Sequence, residues 1–107
     1  MADPCVVVAT MIAKPGQEDL VEKTLRAAAP AVHAEPGCLR YALHRRLEQP
    51  ERFVMIEKWA SREALREHGQ GAALREVGVA LADALVAAPE VLVFEPLPAG
   101  DPEKGAL

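Results

Sequence analysis

Runs of apolar residues, some continuous and some alternating with polar ones, predict four strands along the chain. Residues 5–13 (CVVVATMIA) form a continuous run rich in β-branched side chains, which predicts a strand buried on both faces. Residues 38–47 alternate between apolar and polar positions, and residues 52–59 (RFVMIEKW) follow after a short polar turn. These two segments predict a β-hairpin. Residues 91–95 (VLVFE) are the last predicted strand.

Apolar residues at helical spacing predict three helices between these strands. The first helix is expected to begin near Gln17, and Pro30 is expected to kink or end its regular part. Ser61 is a good N-cap for a short second helix that Gly69 ends. A longer third helix is expected to continue to Pro89. Its apolar stripe consists of Leu74, Val77, Leu81 and Leu85.

The order strand, helix, strand, strand, helices, strand predicts an α+β fold, the ferredoxin-like split βαβ plait. In this fold a four-stranded antiparallel sheet carries its helices on one face. The length of 107 residues suits one domain and not two. We assign residues 1–96 to this domain. Residues 97–107 contain prolines and glycines but few large apolar side chains, so we expect a flexible tail there.

The predicted strands carry apolar side chains on both faces, whereas the helices can cover only one. In the first strand, Val6 and Val8 point away from Val7 and Ala9. A bare apolar sheet face would be an unusually large exposed patch for a soluble monomer. We therefore expect a homodimer in which two copies pack sheet against sheet.

Charge and cysteine usage exclude several classes of partner. The net charge is −4 and the Lys and Arg residues are scattered, which argues against nucleic acid and anionic membranes as partners. Cys5 and Cys38 form no Cys-x-x-Cys pair, and there is no signal peptide or 18-residue apolar run, so we expect a cytoplasmic protein with reduced thiols. No His/Cys/Asp cluster or glycine-rich phosphate loop is visible. We therefore expect neither a metal nor a cofactor.

Four segments together resemble the antibiotic biosynthesis monooxygenase domain family. They are KPG at 14–16, EPGCLRY at 35–41, FVMIEKW at 53–59 and EALREH at 63–68. The resemblance covers residues 5–95 and implies a dimeric α+β barrel. It also implies a cofactor-independent monooxygenase that uses O2 and a small aromatic quinol, phenol or polyketide-like substrate. The wider superfamily includes quinol and polyketide oxygenases, haem-degrading enzymes, isomerases and members without known activity, so the fold alone does not decide the chemistry.

His68 is the candidate catalytic residue. Its spacing from Ala64 and Leu65 predicts that it shares their inward face of the helix. A histidine there is suited to accept a proton from a phenol or quinol. The alternative is a histidine at a helix end, where the helix dipole favours its charge. Many relatives carry a second histidine five residues later, and Ala73 stands at that position here.

The candidate substrate-binding residues lie on the strands. Trp59 ends a strand and is predicted to stack on a flat aromatic substrate, with a purely structural core position as the alternative. Glu57 shares its side of the strand, where a carboxylate must be paired or hydrated. Tyr41 is a candidate hydrogen-bond donor. Phe53 and Met55 complete the predicted binding surface.

Other functions stay open from the sequence. A small-molecule binding or accessory protein would use the same cleft without turnover. Haem degradation is disfavoured, because haem-degrading relatives use a tryptophan where His68 stands and a histidine near Gly78. An isomerase for phosphorylated metabolites would need inward cations, and no such cluster is evident. An RNA-recognition domain is rejected because the third strand lacks the glycine of its binding pattern.

Overall fold

The structure, a computed structural model, describes residues 3–107. Three helices and four strands follow one another along the described chain in the order that the hydrophobic pattern predicts. Their bounds are β1 Cys5–Ile12, α1 Glu18–His33, β2 Cys38–Arg45, β3 Arg52–Trp59, α2 Arg62–Gly69, α3 Ala72–Ala80 and β4 Glu90–Phe94. In the part of the chain that is described, no helix is both long and apolar enough to cross a membrane.

The strands form one antiparallel sheet in the order β2-β3-β1-β4. The hairpin partners β2 and β3 lie side by side, and the first strand lies between β3 and the last strand. This is the topology of the ferredoxin-like plait, so the predicted fold class is confirmed. The hairpin turn contains Glu48, which is the one residue other than glycine with a positive φ among those described (70°).

Burial alternates along the two central strands because successive side chains point to opposite faces of a sheet. Val7 and Met11 of β1, like Phe53 and Met55 of β3, are buried on the side of the helices. The other side is half-buried or exposed, and we call it the open face. Its apolar members are Val6, Val8, Ile12, Ala42, Val54, Ile56, Leu92 and Phe94. The residues that follow β4 cover one end of this face, beside Val6 and Lys58.

The first helix extends further than its proline predicts. Val21, Leu25 and Val32 form its buried stripe, and the helix continues through Pro30 to His33. Pro30 lies in the last turn of the helix and removes only one backbone donor. The helix therefore ends three residues after the proline rather than at it.

The second helix has the predicted bounds. Ser61 is its N-cap, and the Ser61 hydroxyl accepts a hydrogen bond of 3.0 Å from the backbone N–H of Ala64. Such a cap satisfies one of the free N–H groups of the first helical turn. The cap therefore fixes where α2 begins, and the position of every later side chain on that helix follows from it.

The third helix is shorter than predicted, because backbone groups at the end of β1 hydrogen-bond the residues that would have continued the helix. Helix α3 stops at Ala80, although the apolar stripe continues to Leu85. Lys14 N–H donates to the Ala84 carbonyl, and Val86 N–H donates to the Ile12 carbonyl, each at 2.8 Å. These bonds, with an isolated bridge between Ala13 and Leu85, hold the turn that follows α3 beside the end of β1.

Candidate active site

A cavity of about 690 Å³ lies between the helix-covered face of the sheet and the chain from α2 to β4. Its walls are largely aliphatic and come from the sheet, from α2 and α3, and from the segment after α3. These apolar side chains include Val7, Met11, Leu25, Met55, Leu65, Leu74, Val77, Leu81, Leu85 and Val91. The only side chains with polar groups among the described lining residues are Tyr41, Glu57 and His68. A volume of this size is within the usual range for small-molecule sites.

His68 lies in the last turn of α2, and its ring is held between two aromatic side chains. The side chain is 5% exposed and lines the cavity. The Trp59 ring is stacked against it at a centroid distance of 4.5 Å and an interplanar angle of 29°. The Tyr41 ring meets it edge-on at 5.5 Å. These contacts fix the plane of the imidazole, so its two nitrogens have defined directions.

The Nδ1 atom of His68 contacts the carboxylate of Glu35, with 2.8 Å between Nδ1 and Oε1. An ionised carboxylate can only accept a hydrogen bond, so the proton of this bond belongs to Nδ1. In the neutral ring, Nε2 is then the nitrogen with the free lone pair. Nε2 points toward Glu57, which also lines the cavity. The contact with Glu35 therefore selects the tautomer in which the cavity-side nitrogen accepts protons.

The turn that carries Glu35 packs closely against α2. Gly37 adopts a φ of +82°, which a residue with a side chain rarely adopts. A Cβ at this position would lie 2.5 Å from the Cβ of Ala64 in α2. The turn and the helix approach so closely only because residue 37 is glycine. This approach brings Glu35 within hydrogen-bonding distance of His68, 33 residues along the chain.

Glu57 is the buried acid of the site. Its side chain is on β3, and the residue is 4% exposed. The indole N–H of Trp59 donates to Oε1 at 2.9 Å, and the same oxygen lies 4.0 Å from His68 Nε2. Burial raises the pKa of Glu57 above its ordinary value, and nearby Glu35 adds to this, while the Trp59 hydrogen bond and His68 act in the opposite direction. The net effect disfavours the negative charge.

Tyr41 lies opposite Glu57 in the register of β2 and β3. Burial, followed by the charge of Glu57, raises the pKa of the Tyr41 phenol, so the hydroxyl stays protonated at physiological pH. His33 Nε2 donates to the Tyr41 backbone carbonyl at 2.9 Å and so ties the end of α1 to this part of the strand. Tyr41 is thus a neutral group that can donate or accept a hydrogen bond within the cavity.

Sequence and structural comparisons place this arrangement in a known family. Residues 4–78 match the antibiotic biosynthesis monooxygenase family. The chain belongs to that family. No curated protein is similar enough to count as a match.

Several solved structures share the fold of this antibiotic biosynthesis monooxygenase family member. Protein PA3566 from Pseudomonas aeruginosa is 30% identical, with a TM-score of 0.84 and coverage of 91% of this chain and 97% of its own. Rv0793 from Mycobacterium tuberculosis is 25% identical, with a TM-score of 0.84 and coverage of 92% and 100%. A third structure, of an antibiotic biosynthesis monooxygenase, is 26% identical, with a TM-score of 0.81 and coverage of 88% and 99%.

The structure gathers four of the six predicted site residues of this family member around the cavity. Tyr41, Met55, Glu57 and His68 line it. Trp59 does not line it: the residue is 0% exposed and lies behind His68 and Glu57. Its predicted stacking on substrate stays a prediction, and its observed contacts are with the two ionisable groups.

Phe53 is also buried and lies outside the cavity. Its ring faces the guanidinium of Arg45 at 4.9 Å, beside a smaller hollow at the edge of the sheet. Phe53 does not line the cavity, so no contact supports its predicted part in substrate binding, which stays a prediction. The strand alternation that groups Phe53 with Met55 is correct, but the helices cover the two positions differently.

Glu35 is the site residue that sequence reasoning missed. The sequence assigns it only to the turn before β2, where a glutamate needs no special role. Ala73, at the position of the second histidine of many relatives, borders a separate hollow of about 290 Å³ that Glu35 and His68 also line. The partner of His68 in this chain is thus a carboxylate from the turn rather than a second histidine. Among residues 3–107 no group of three or more His, Cys, Asp or Glu side chains is arranged to hold a metal ion.

Proposed function

We propose that this protein is a cofactor-independent monooxygenase that oxidises a small aromatic quinol or phenol with O2. The observation that carries the proposal is the imidazole of His68, which is hydrogen-bonded to Glu35 through Nδ1 and lines an apolar cavity. A neutral imidazole held in this way is already oriented, with its free Nε2 lone pair toward the cavity, as a general base requires. Membership of the antibiotic biosynthesis monooxygenase family supports the reaction class.

In the proposed reaction the substrate supplies all the electrons. His68 Nε2 takes the proton of a ring hydroxyl, and the resulting anion passes one electron to O2. The aryloxyl radical and superoxide then combine through a new C–O bond, and the peroxide oxygen takes the proton back from His68. Loss of water restores the conjugated ring, so a 1,4-quinol and O2 give a hydroxyquinone and water. The apolar walls exclude water from the anion and hold the ring near the base.

The test is oxygen uptake with 1,4-dihydroxynaphthalene, corrected for its spontaneous oxidation, with product analysis by mass spectrometry. With isotopically labelled O2, one labelled oxygen should enter the product. His68→Ala should lower kcat by about 10²–10⁴-fold, the range of a general base. His44→Ala is the matched control because its imidazole is exposed and lies on the sheet face away from the cavity.

Equal corrected rates for the His68 variant and the parent would refute the proposal. Saturable ligand binding without turnover would instead identify a small-molecule binding protein.

We also propose that the chain works as a homodimer joined through the open face. The support is the apolar character of this face: Val8 on the central strand β1 lies between Ile56 of β3 and Leu92 of β4. On edge strand β4, the open-face residues Leu92 and Phe94 are 46% and 40% exposed. A second copy, packed sheet to sheet, is the simplest cover for such a surface.

Sedimentation at micromolar concentration should give twice the chain mass of 11.5 kDa. Ile56→Lys should dissociate the dimer, because it places an unpaired charge in the interface at a cost of several kcal/mol. Ala27→Lys on the exposed side of α1 is the matched control and should leave the dimer intact. A parent protein that sediments as a folded monomer would contradict the proposal.

A further inference from the structure

The imidazole of His68 separates two spaces in the molecule. On one side lies the main cavity, whose polar end consists of Tyr41, Glu57 and His68. On the other side lies the hollow of about 290 Å³ that His68 and Glu35 line, which we call the rear hollow. Nε2 of the ring faces Glu57, and Nδ1 is hydrogen-bonded to Glu35. Each ring nitrogen therefore meets one carboxylate, and the two carboxylates lie in different compartments.

The rear hollow opens to the protein surface. Exposed residues form much of its lining: Ala31, Pro36, Glu67 and Ala72. The side chain of Glu35 is 20% exposed, against 6% for that of Glu57. A carboxylate that keeps some contact with water is ionised at a lower cost in free energy than one that is buried.

The N-terminus of α3 also favours a negative charge on Glu35. Gly71 is the N-cap of α3, and a Cβ built on it would lie 3.7 Å from Oε2 of Glu35. The positive end of the helix dipole stabilises an anion at this place. Glu57 is in the opposite situation, because burial raises its pKa and its Oε1 atom is 4.0 Å from Nε2. Glu35 is thus the better placed of the two to hold a negative charge beside His68.

A charged partner matters because a general base becomes a cation when it accepts a proton. After Nε2 takes a proton from a hydroxyl, both ring nitrogens carry hydrogen and the ring is positive. His68 is 5% exposed, and an unpaired cation buried to that degree is strongly unfavourable. The Glu35 carboxylate pairs with this cation through the hydrogen bond of 2.8 Å that is already present. Glu35 keeps its charge throughout, and the proton on Nε2 can return to the substrate.

We infer that Glu35 is a positioning residue for His68: its carboxylate holds the imidazole proton on Nδ1 and compensates the charge of the imidazolium that forms during the reaction. Because Glu35 acts from the rear hollow, a small carboxylate from solution should replace it when its side chain is removed. The inference rests on the proposed function, since it adds a residue to the same reaction. The location of the His68 proton is a property of the resting protein and can be measured without turnover.

The first experiment is nitrogen-15 NMR of histidine-labelled protein at about pH 8, above the ordinary pKa of an imidazole. His68→Ala identifies the signals of His68 among those of the three histidines. We expect the parent to carry the ring proton on Nδ1 and none on Nε2. Glu35→Gln keeps the size of the side chain but should populate both tautomers, because an amide can either accept or donate. Glu67→Gln is the matched control, since Glu67 is an exposed glutamate of the same hollow and should not affect the tautomer.

The second experiment is chemical rescue of quinol oxidation. Glu35→Ala should lower kcat by about 10–10²-fold, as the loss of a group that orients a functional histidine typically does. KM should change little, because Glu35 does not line the cavity. Formate should restore kcat with saturation and should return the His68 proton to Nδ1. Formamide has nearly the same size but no charge and should do neither, as should chloride at the same ionic strength.

The inference fails if the parent carries the proton on Nε2, or if Glu35→Gln keeps either the parent tautomer or the parent kcat. It also fails if formamide rescues Glu35→Ala as well as formate does, or if formate restores neither kcat nor the Nδ1 proton. A protein that oxidises no quinol would refute the proposed function alone, because the NMR response to Glu35→Gln and to formate would still decide the role of Glu35. Quinol oxidation that is lost in His68→Ala but unchanged in Glu35→Gln would refute this inference and retain the proposed function.

Discussion

The buried carboxylate of Glu57 should make the protein less stable at neutral pH than it would be with a neutral side chain. Glu57 is 4% exposed, its hydrogen bond comes from a neutral donor, the Trp59 indole, and burial raises its pKa above 4.5. Glu57→Gln removes the charge but keeps an oxygen in position for that donor. The substitution therefore isolates the effect of the charge from the effect of packing.

The sign of the effect follows from proton linkage. An acid whose pKa is raised on folding binds its proton more tightly in the folded state. Its favourable contribution is complete below the unfolded pKa near 4.5 and is lost as pH rises through the folded pKa. Each unit of difference corresponds to about 1.4 kcal/mol. We expect Glu57→Gln to have nearly the parent stability at about pH 4 and to be more stable by about 1–3 kcal/mol at about pH 8.

The measurement is urea unfolding at several pH values and a fixed protomer concentration, because association would otherwise shift the apparent stability. Trp59 is the only tryptophan and is fully buried, so its fluorescence reports unfolding. Glu63→Gln on the exposed side of α2 serves as the control for removing a glutamate charge. Its stability difference from the parent should vary little with pH.

A stability difference between Glu57→Gln and the parent that does not change with pH would refute this reasoning. So would a variant that is less stable than the parent at about pH 8. If the prediction holds, the protein retains an unfavourable buried charge at the polar end of its cavity. Such a cost is typical of groups kept for function rather than for stability.

Three further substitutions test the supports of the site. Gly37→Ala should destabilise the fold by about 2–4 kcal/mol, because of the positive φ and the contact with Ala64. The double variant that also carries Ala64→Gly should be more stable than the sum of the two single-variant stability changes predicts. Thermal unfolding data in which the two changes simply add would contradict the contact. Trp59→Phe should lower the stability of the fold by about 1–3 kcal/mol at neutral pH, because the Glu57 carboxylate loses its hydrogen-bond donor. Chemical denaturation monitored by circular dichroism should show a smaller loss of stability in acid. Ser61→Ala should cost about 1 kcal/mol through the lost cap; an unchanged melting temperature would show that the cap is dispensable.

Features that depend on neighbours in the chain were predictable from the sequence. The third strand has the predicted bounds, and Ser61 and Gly69 bound α2 as expected. The two faces of the central strands also follow directly from the alternation of side chains. Turns and caps act over a few residues, so their residue types carry the information locally.

Where long-range backbone bonds compete with local preference, the sequence was a poorer guide. The apolar stripe of α3 continues past Ala80, but the end of β1 binds the following backbone and ends the helix. In β2, alternation predicts that Leu39 shares the inward side of Tyr41. A register irregularity between Cys38 and Arg40 instead leaves Leu39 45% exposed.

The candidate site shows the same division. Helical spacing predicts an inward His68, and strand alternation predicts that Glu57 lies on the inner side with Trp59. Nothing local connects Glu35 to His68, which is 33 residues away. Their contact depends on how closely a turn packs on a helix, and Gly37 permits that packing because a Cβ at this position would lie 2.5 Å from the Cβ of Ala64. The sequence by itself thus determined most of the elements, the faces of the central strands and the inward position of His68, whereas the tertiary structure decided which carboxylates flank that imidazole, because those contacts are set by packing between distant segments.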